Sequence, residues 1–127
     1  MTQSISGSEA LSVMYQALNG LSARQRAQAD NIANINTPGY KAEKVDFESA
    51  LKNAVASMDT GTSLVDRVSK LSPNVTKSTA EGGVNGNNVN LDQETVESQD
   101  TALRYRLLLD GIGRQFSGLR NVIREGR

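Results

Sequence analysis

The acidic and glycine-rich stretch between residues 82 and 97 is where this sequence comes nearest to chemistry. Asp92 with Glu94, or Glu94 with Glu97, could form a carboxylate pair for acid–base work. At a helix start, however, acids also complement the positive end of the helix dipole. Asn85, Asn87, Asp92 and Glu94 are oxygen donors of the type calcium prefers, but their spacing is wrong for a calcium loop and early carboxylates are missing. Gly82-Gly83-Val84-Asn85-Gly86 lacks the Lys-Ser or Lys-Thr pair that a phosphate-binding loop needs after its glycines. Asn74-Val75-Thr76 matches a glycosylation acceptor, a triplet with little meaning where no secretory signal precedes it. The chain has no histidine and no cysteine, so the commonest general base, thiol chemistry, disulfides and the usual zinc ligands are all missing. No catalytic constellation, cofactor site or metal site is expected.

Composition narrows the class further. A chain of 127 residues is expected to be one domain. Hydrophobic residues make up 37% and aromatics 4%, with no Trp, which suits helices meeting along seams better than a sandwich or barrel. Fourteen basic and fourteen acidic residues balance, which speaks against nucleic acid or an anionic membrane as the main partner. Arg24, Arg26, Lys41, Lys44, Arg104, Arg106, Arg114, Arg120 and Arg124 are scattered among acids, as on solvated or inter-subunit faces. Residues 1–8 carry no basic and apolar signal-peptide regions, and no run approaches membrane-spanning length, so no membrane insertion is expected.

Apolar spacing then predicts the elements. Ser8 is a plausible N-cap with Glu9 in the first turn. From there Leu11, Met14, Leu18, Leu21, Gln25, Gln28, Ile32 and Ile35 alternate in steps of three and four, a heptad seam whose middle two positions are polar. A helix over residues 8–36 would be about 40 Å long, too long and too thinly apolar to be buried in a small monomer. Proline restricts the residue before it, so the helix should stop by about Asn36, and Pro38-Gly39 suits the centre of a type II turn. Lys41–Val45 should be extended. Asp46 could cap a short helix with Phe47, Ala50 or Leu51, Ala54, Val55 and Met58 on its apolar face, broken by Asp59–Ser63. Leu64, Val65, Val68 and Leu71 permit another short helix. Residues 73–90, rich in Thr, Ser, Gly and Asn, read as a flexible connection with Asn-Gly at a turn.

The last helix is expected over residues 91–125. Ala102, Tyr105, Leu109, Ile112, Phe116, Leu119 and Ile123 form an unbroken heptad seam, and Val96, Leu103 and Leu107 form a second stripe on roughly the opposite side. One helix with two apolar faces needs more than one packing partner. Gly111, Gly113 and Gly118 cost helix propensity; they mark either a close backbone approach or a frayed end. The predicted fold is mainly α: the two long helices packed as an antiparallel coiled coil, with a short irregular or helical middle and a small β-turn region.

Residues 29–40 contain Ala29, Asn31, Ile32, Ala33 and Asn34, followed by Thr37, Pro38, Gly39 and Tyr40. Read plainly this is a helix stop. It also resembles the signature near the N-terminus of the bacterial flagellar axial proteins, and the whole layout is similar to the flagellar basal-body rod proteins, most of all the small proximal members. Asp46-Phe47, Gly86-Asn87-Asn88-Val89-Asn90-Leu91-Asp92 and Leu103-Arg104-Tyr105 carry the likeness onward. Thr101 and Arg106 depart from the pattern, where Asn and Gln are usual, and residues 52–80 add nothing to it.

The resemblance implies a non-enzymatic building block of the rod, exported by the flagellar type III apparatus without a cleaved signal. It implies a periplasmic drive shaft built from copies of this chain and other rod proteins, next to the MS-ring junction and the export gate. In that setting Asn31, Ala33, Asn34, Thr37, Pro38, Gly39 and Tyr40 would fix how the helix leaves the inner layer. Leu11, Met14, Leu18, Leu21, Ile32 and Ile35 would meet the seam from Ala102 to Ile123. The alternative is a cytoplasmic helical adaptor or export chaperone for another flagellar protein, binding a partner helix through the same seams.

Overall fold

The computed structural model describes residues 5–57 and 61–125. In chain order the elements are α1 (Gly7–Ala33), β1 (Glu43–Asp46), α2 (Glu48–Ala56), α3 (Leu64–Ser69), β2 (Asn74–Lys77) and α4 (Leu91–Glu125). The fold is mainly helical, with long first and last helices and one two-stranded antiparallel sheet. Met58, Asp59 and Thr60, expected at the end of the second helix and in its breaker, lie outside the described residues.

Both ends of α1 differ from expectation. The N-cap is Ser6, not Ser8: its Oγ accepts from Glu9 N at 3.3 Å while Glu9 Oε2 accepts from Ser6 N at 2.8 Å. That reciprocal pair needs an acid three residues after the cap, which Glu9 supplies for Ser6 and Leu11 does not for Ser8. The helix closes at Ala33, three residues before Asn36, because the C-cap Asn34 turns its own side chain onto the Asp30 carbonyl at 2.8 Å. Bonded turns follow, ending with Tyr40 N donating to Thr37 O across Pro38-Gly39, where Gly39 has φ +73° as a type II turn requires.

The middle segment holds more structure than its composition suggests. Asn74–Lys77, expected as part of a loop, pairs antiparallel with β1 in the register Glu43↔Lys77 to Asp46↔Asn74. All four β2 residues are exposed, so no alternation of apolar and polar residues could announce the strand. Phe47 begins α2 without a side-chain cap, and Asp46 beside it accepts from Ser49 N. Ser63 caps α3, and Arg67 reaches back from α3 to the Ala54 and Ser57 carbonyls at the end of α2. Val68 is fully buried where α3 packs on α1 and α2.

The core is small: Leu21, Ala27, Ala42, Val45, Val68 and Ile112 are its buried apolar residues. α1 and α4 form the main contact. Met14 lies beside Gly111, Gln28 bonds Thr101 and Asn31 bonds Glu94, so the partners occur in opposite order along the two helices. Phe47 lies flat over Gly20, with the Arg24 guanidinium 4.8 Å from its ring centre. A methyl at Gly20 would overlap the Phe47 ring, whereas one at Gly113 meets nothing. Gly20→Ala should therefore destabilise the chain by about 1–3 kcal/mol in urea unfolding, through overpacking. Gly113→Ala should stabilise it by up to about 1 kcal/mol, through helix propensity. Equal effects would mean that Phe47 does not sit on Gly20 in solution.

Candidate functional site

The site is a polar junction where α1 ends, and its centre is Asn31, 0% exposed. Its side chain treats β1 as a strand would. Nδ2 donates to Glu43 O at 2.9 Å and Oδ1 accepts from Glu43 N at 2.8 Å. The second Nδ2 hydrogen goes to Glu94 Oε1 at 3.1 Å, and Oδ1 accepts once more, from the Tyr40 hydroxyl at 3.2 Å. All four hydrogen-bonding positions of the amide are thus used. One side chain ties α1 to the turn, to β1 and to α4. Burial, and then the charges of Glu43, Asp30 and Glu94, raise the Tyr40 phenol above its ordinary value, which keeps its proton available for Asn31.

A second ring of contacts docks the Thr37-Pro38-Gly39-Tyr40 turn onto residues 85–88. Buried Asn87 donates from Nδ2 to Asn34 O and to Thr37 O, both at 2.8 Å, and its Oδ1 accepts from Val89 N. Gly39 N donates to Asn85 O, Asn88 N to Tyr40 O, and Lys41 Nζ to Gly86 O. Asn88 Oδ1 accepts from Ala42 N at 2.7 Å, and its Nδ2 serves Ser78 O and Ala80 O. Gly86, at φ +81°, would place a methyl 3.4 Å from Gly39 Cα, so the two glycines let the backbones meet. The connection expected to be flexible is therefore pinned over its last residues. Asn90 Oδ1 then accepts from Gln93 N as α4 begins.

The residues singled out from the sequence fall into two groups. Around the turn, Ala33, Thr37, Pro38 and Gly39 are exposed, Asn34 and Tyr40 are half-buried, and Asn31 is enclosed. Along the helices, Leu21 and Ile112 are buried, while Leu11, Met14, Leu18, Ala102 and Tyr105 are half-buried. Ile35 lies beyond the end of α1, and Ile32 is 36% exposed. At the far end of α4, Leu109, Phe116, Leu119 and Ile123 are exposed, as are Val96, Leu103 and Leu107 of the second stripe. Sequence reasoning missed Asn87 and Asn88 as buried anchors, and Gln28 and Glu94 as buried partners of α4 and α1. The only signal for them was the density of asparagines in two separate stretches.

Two carboxyls respond to the junction in opposite ways. Glu94 is raised above its ordinary value, first by burial and also by Glu97, although Asn31 and Lys44 oppose the shift. Burial also works against ionisation of Glu48, but Arg24 outweighs it and holds Glu48 below its ordinary value through a hydrogen bond and a 2.6 Å ion pair. Arg24 also donates to Val45 O, fixing β1 and α2 against α1. Among the described residues no group of three or more acidic side chains is placed to hold a metal ion, and no helix is long and apolar enough to cross a membrane.

Two long helices joined by a polar lock, with much apolar surface uncovered, describe an assembling structural protein, and the comparisons give its class. The model of a family described as "Flagella basal body rod protein" matches residues 14–41, the second half of α1 and the turn. The chain is 33% identical to the flagellar basal body rod protein FlgB of Escherichia coli (strain K12), over 92% of this chain and 94% of the relative. It is likewise 33% identical to FlgB of Salmonella typhimurium over the same shares, and 29% identical to FlgB of Bacillus subtilis over 90% and 92%. The chain belongs to the FlgB family of flagellar basal body rod proteins.

Asn31→Ala would strip partners from Glu43, Tyr40 and Glu94 together, and should cost about 3 kcal/mol or more in urea unfolding. Pro38→Ala, at an exposed position, should cost less than about 1 kcal/mol. Similar losses would remove Asn31 from the centre of the junction. The carboxyls set a pH dependence with two signs. A raised Glu94 binds protons more readily in the folded chain, so its contribution weakens as pH rises from the ordinary carboxylate range through the raised value. The lowered Glu48 stabilises above the ordinary carboxylate range, and that support is lost as pH falls through its depressed value. Glu94→Gln keeps an acceptor for Asn31 and should abolish only the first slope in stability measured against pH.

Proposed function

We infer that this chain serves as a structural subunit of the flagellar basal-body rod, in its proximal part, and has no catalytic task. Its family supplies the place and the structural character. The observation that carries the assembly reading is the uncovered apolar surface of α4. Phe116, Leu119, Val122 and Ile123 are 44–66% exposed, as are Val96, Leu103 and Leu107 at 57–66%. Counting seven residues back from Met14 and seven on from Gly111 brings Gly7 level with about residue 118, at equal rise per residue. The last turns of α4 thus reach past the start of α1, with no helix of the same chain to cover them.

In this reading α1 and α4 form an antiparallel coiled-coil unit. The heptad residues Leu11, Met14, Leu18 and Leu21 face the seam from Ala102 to Ile123, and neighbouring subunits complete that seam where the chain alone leaves it bare. Contacts between unlike surfaces of successive copies do not close on themselves and so build a helical tube. Such a tube would transmit torque from motor to hook, with the MS-ring junction and export gate at its base and passage through the flagellar type III system. The Asn31 junction fixes the direction in which the chain leaves α1, and the exposed Thr37-Pro38-Gly39 tip is left for adjacent subunits. No observation favours the adaptor or chaperone reading.

Mass spectrometry of basal bodies stripped to the rod should find this chain. A Pro38→Ala, Gly39→Val double variant puts a branched side chain where φ is +73° and is expected to destabilise the turn by about 1–2 kcal/mol. It should keep a normal cellular level but enter rods poorly. Normal rods from that variant would refute the role of the turn. Recovery of the native chain only from the cytosol, bound to another flagellar protein, would restore the adaptor reading.

A further inference from the structure

Beside the junction, α1, β1 and the first turns of α4 enclose a crevice of about 240 Å³, lined among others by Gln28, Lys44, Glu94, Glu97, Asp100 and Thr101. Two of these side chains are more than nine-tenths buried, Gln28 at 5% and Glu94 at 8% exposure. Each keeps one oxygen without a partner among the described residues, Gln28 Oε1 and Glu94 Oε2. Their other atoms are spoken for. Gln28 Nε2 donates to Thr101 Oγ1, whose own proton goes to Glu97 O, and Glu94 Oε1 accepts from Asn31. Both open positions are acceptors, so the missing group is a donor.

The charge around them points the same way. Glu43, Glu94, Glu97 and Asp100 line the crevice against only Arg24 and Lys44. Arg24 is drawn to Glu48 and Asp100 is paired with Arg104, which leaves three carboxyls facing one lysine. Lys44 itself is exposed and makes no ion pair among the described residues. A bare metal ion finds no set of three acidic ligands here. A buried acceptor left open is costly, and a charged donor satisfies it about twice as strongly as a neutral one.

We propose that this crevice is a binding site for one organic cation, an ammonium or guanidinium group, held between Gln28 Oε1 and Glu94 Oε2. Its source is either a lysine or arginine of a neighbouring subunit or a small free cation. The site stands apart from the rod reading, because the isolated chain tests it.

The test is a titration of the dilute full-length chain, monomeric by sedimentation, with methylguanidinium chloride and with methylammonium chloride. The Gln28 side-chain amide and the Glu94 and Thr101 backbone amides are followed by NMR against sodium chloride of equal ionic strength. Saturable shifts confined to the crevice are expected. Glu94→Gln should weaken the response by about tenfold. Glu97→Gln, at an exposed rim position outside the Asn31 network, should weaken it less, and Lys44→Met should strengthen it. Shifts no larger than with sodium chloride, in a chain whose spectrum is otherwise folded, overturn the proposal and leave water or a rotated Gln28 amide as the partner. Raising the chain concentration without added cation separates the sources. Movement of the same resonances assigns the donor to a second copy, and their constancy assigns it to a free cation or a different subunit.

Discussion

The structure depends on one requirement: a carboxamide placed fully out of water must use every donor and acceptor it has. Asn31 meets that requirement with groups from three separate parts of the chain, the Glu43 backbone, the Tyr40 hydroxyl and the Glu94 carboxylate. Because an unpaired buried polar atom costs more than a paired one gains, the arrangement tolerates no partial version. The end of α1, the exit of the turn, the start of β1 and the start of α4 are therefore set relative to one another by a single side chain. An apolar residue at position 31 could fill the same space but would specify none of these positions.

The same requirement explains what the sequence could and could not announce. Apolar periodicity located both long helices, since Leu11, Met14, Leu18 and Leu21, and the run from Ala102 to Ile123, repeat at helical spacing whatever they pack against. Turn chemistry located Pro38-Gly39, because φ there is set by the residues themselves. Side-chain caps were less legible: Ser6 and Ser8 both qualify by type, and only the reciprocal bond with Glu9 chooses between them. Strand β2 was hidden because every residue in it is exposed. The site was hidden for a different reason. Its asparagines were visible as poor helix formers, but their partners lie 12 to 63 residues away, and no local pattern encodes those pairings.

Polar residues inside the α1 seam fit this picture. Above the level of Leu21 the surface that meets α4 changes from apolar to hydrogen-bonded, with Gln28 on Thr101 and then Asn31 on Glu94. An apolar seam can slip by a turn at modest cost, because one aliphatic contact resembles another. Two hydrogen-bonded pairs one turn apart cannot slip without leaving buried amides unpaired, so they hold the register for the whole helix pair.

Register matters most where the chain offers surface to others. With α4 fixed against α1 at the Asn31 end, the far end of α4 is held at a defined reach and rotation rather than left to slide. Phe116, Leu119, Val122 and Ile123 stay exposed there, and Val96, Leu103 and Leu107 stay exposed along the opposite side. A small apolar core of six buried residues would give little reason for one fixed alignment by itself. The polar junction supplies that alignment at one end and leaves the apolar stripes free at the other. A chain that stabilised itself by covering those stripes would gain stability alone and lose the surface from which an assembly is built.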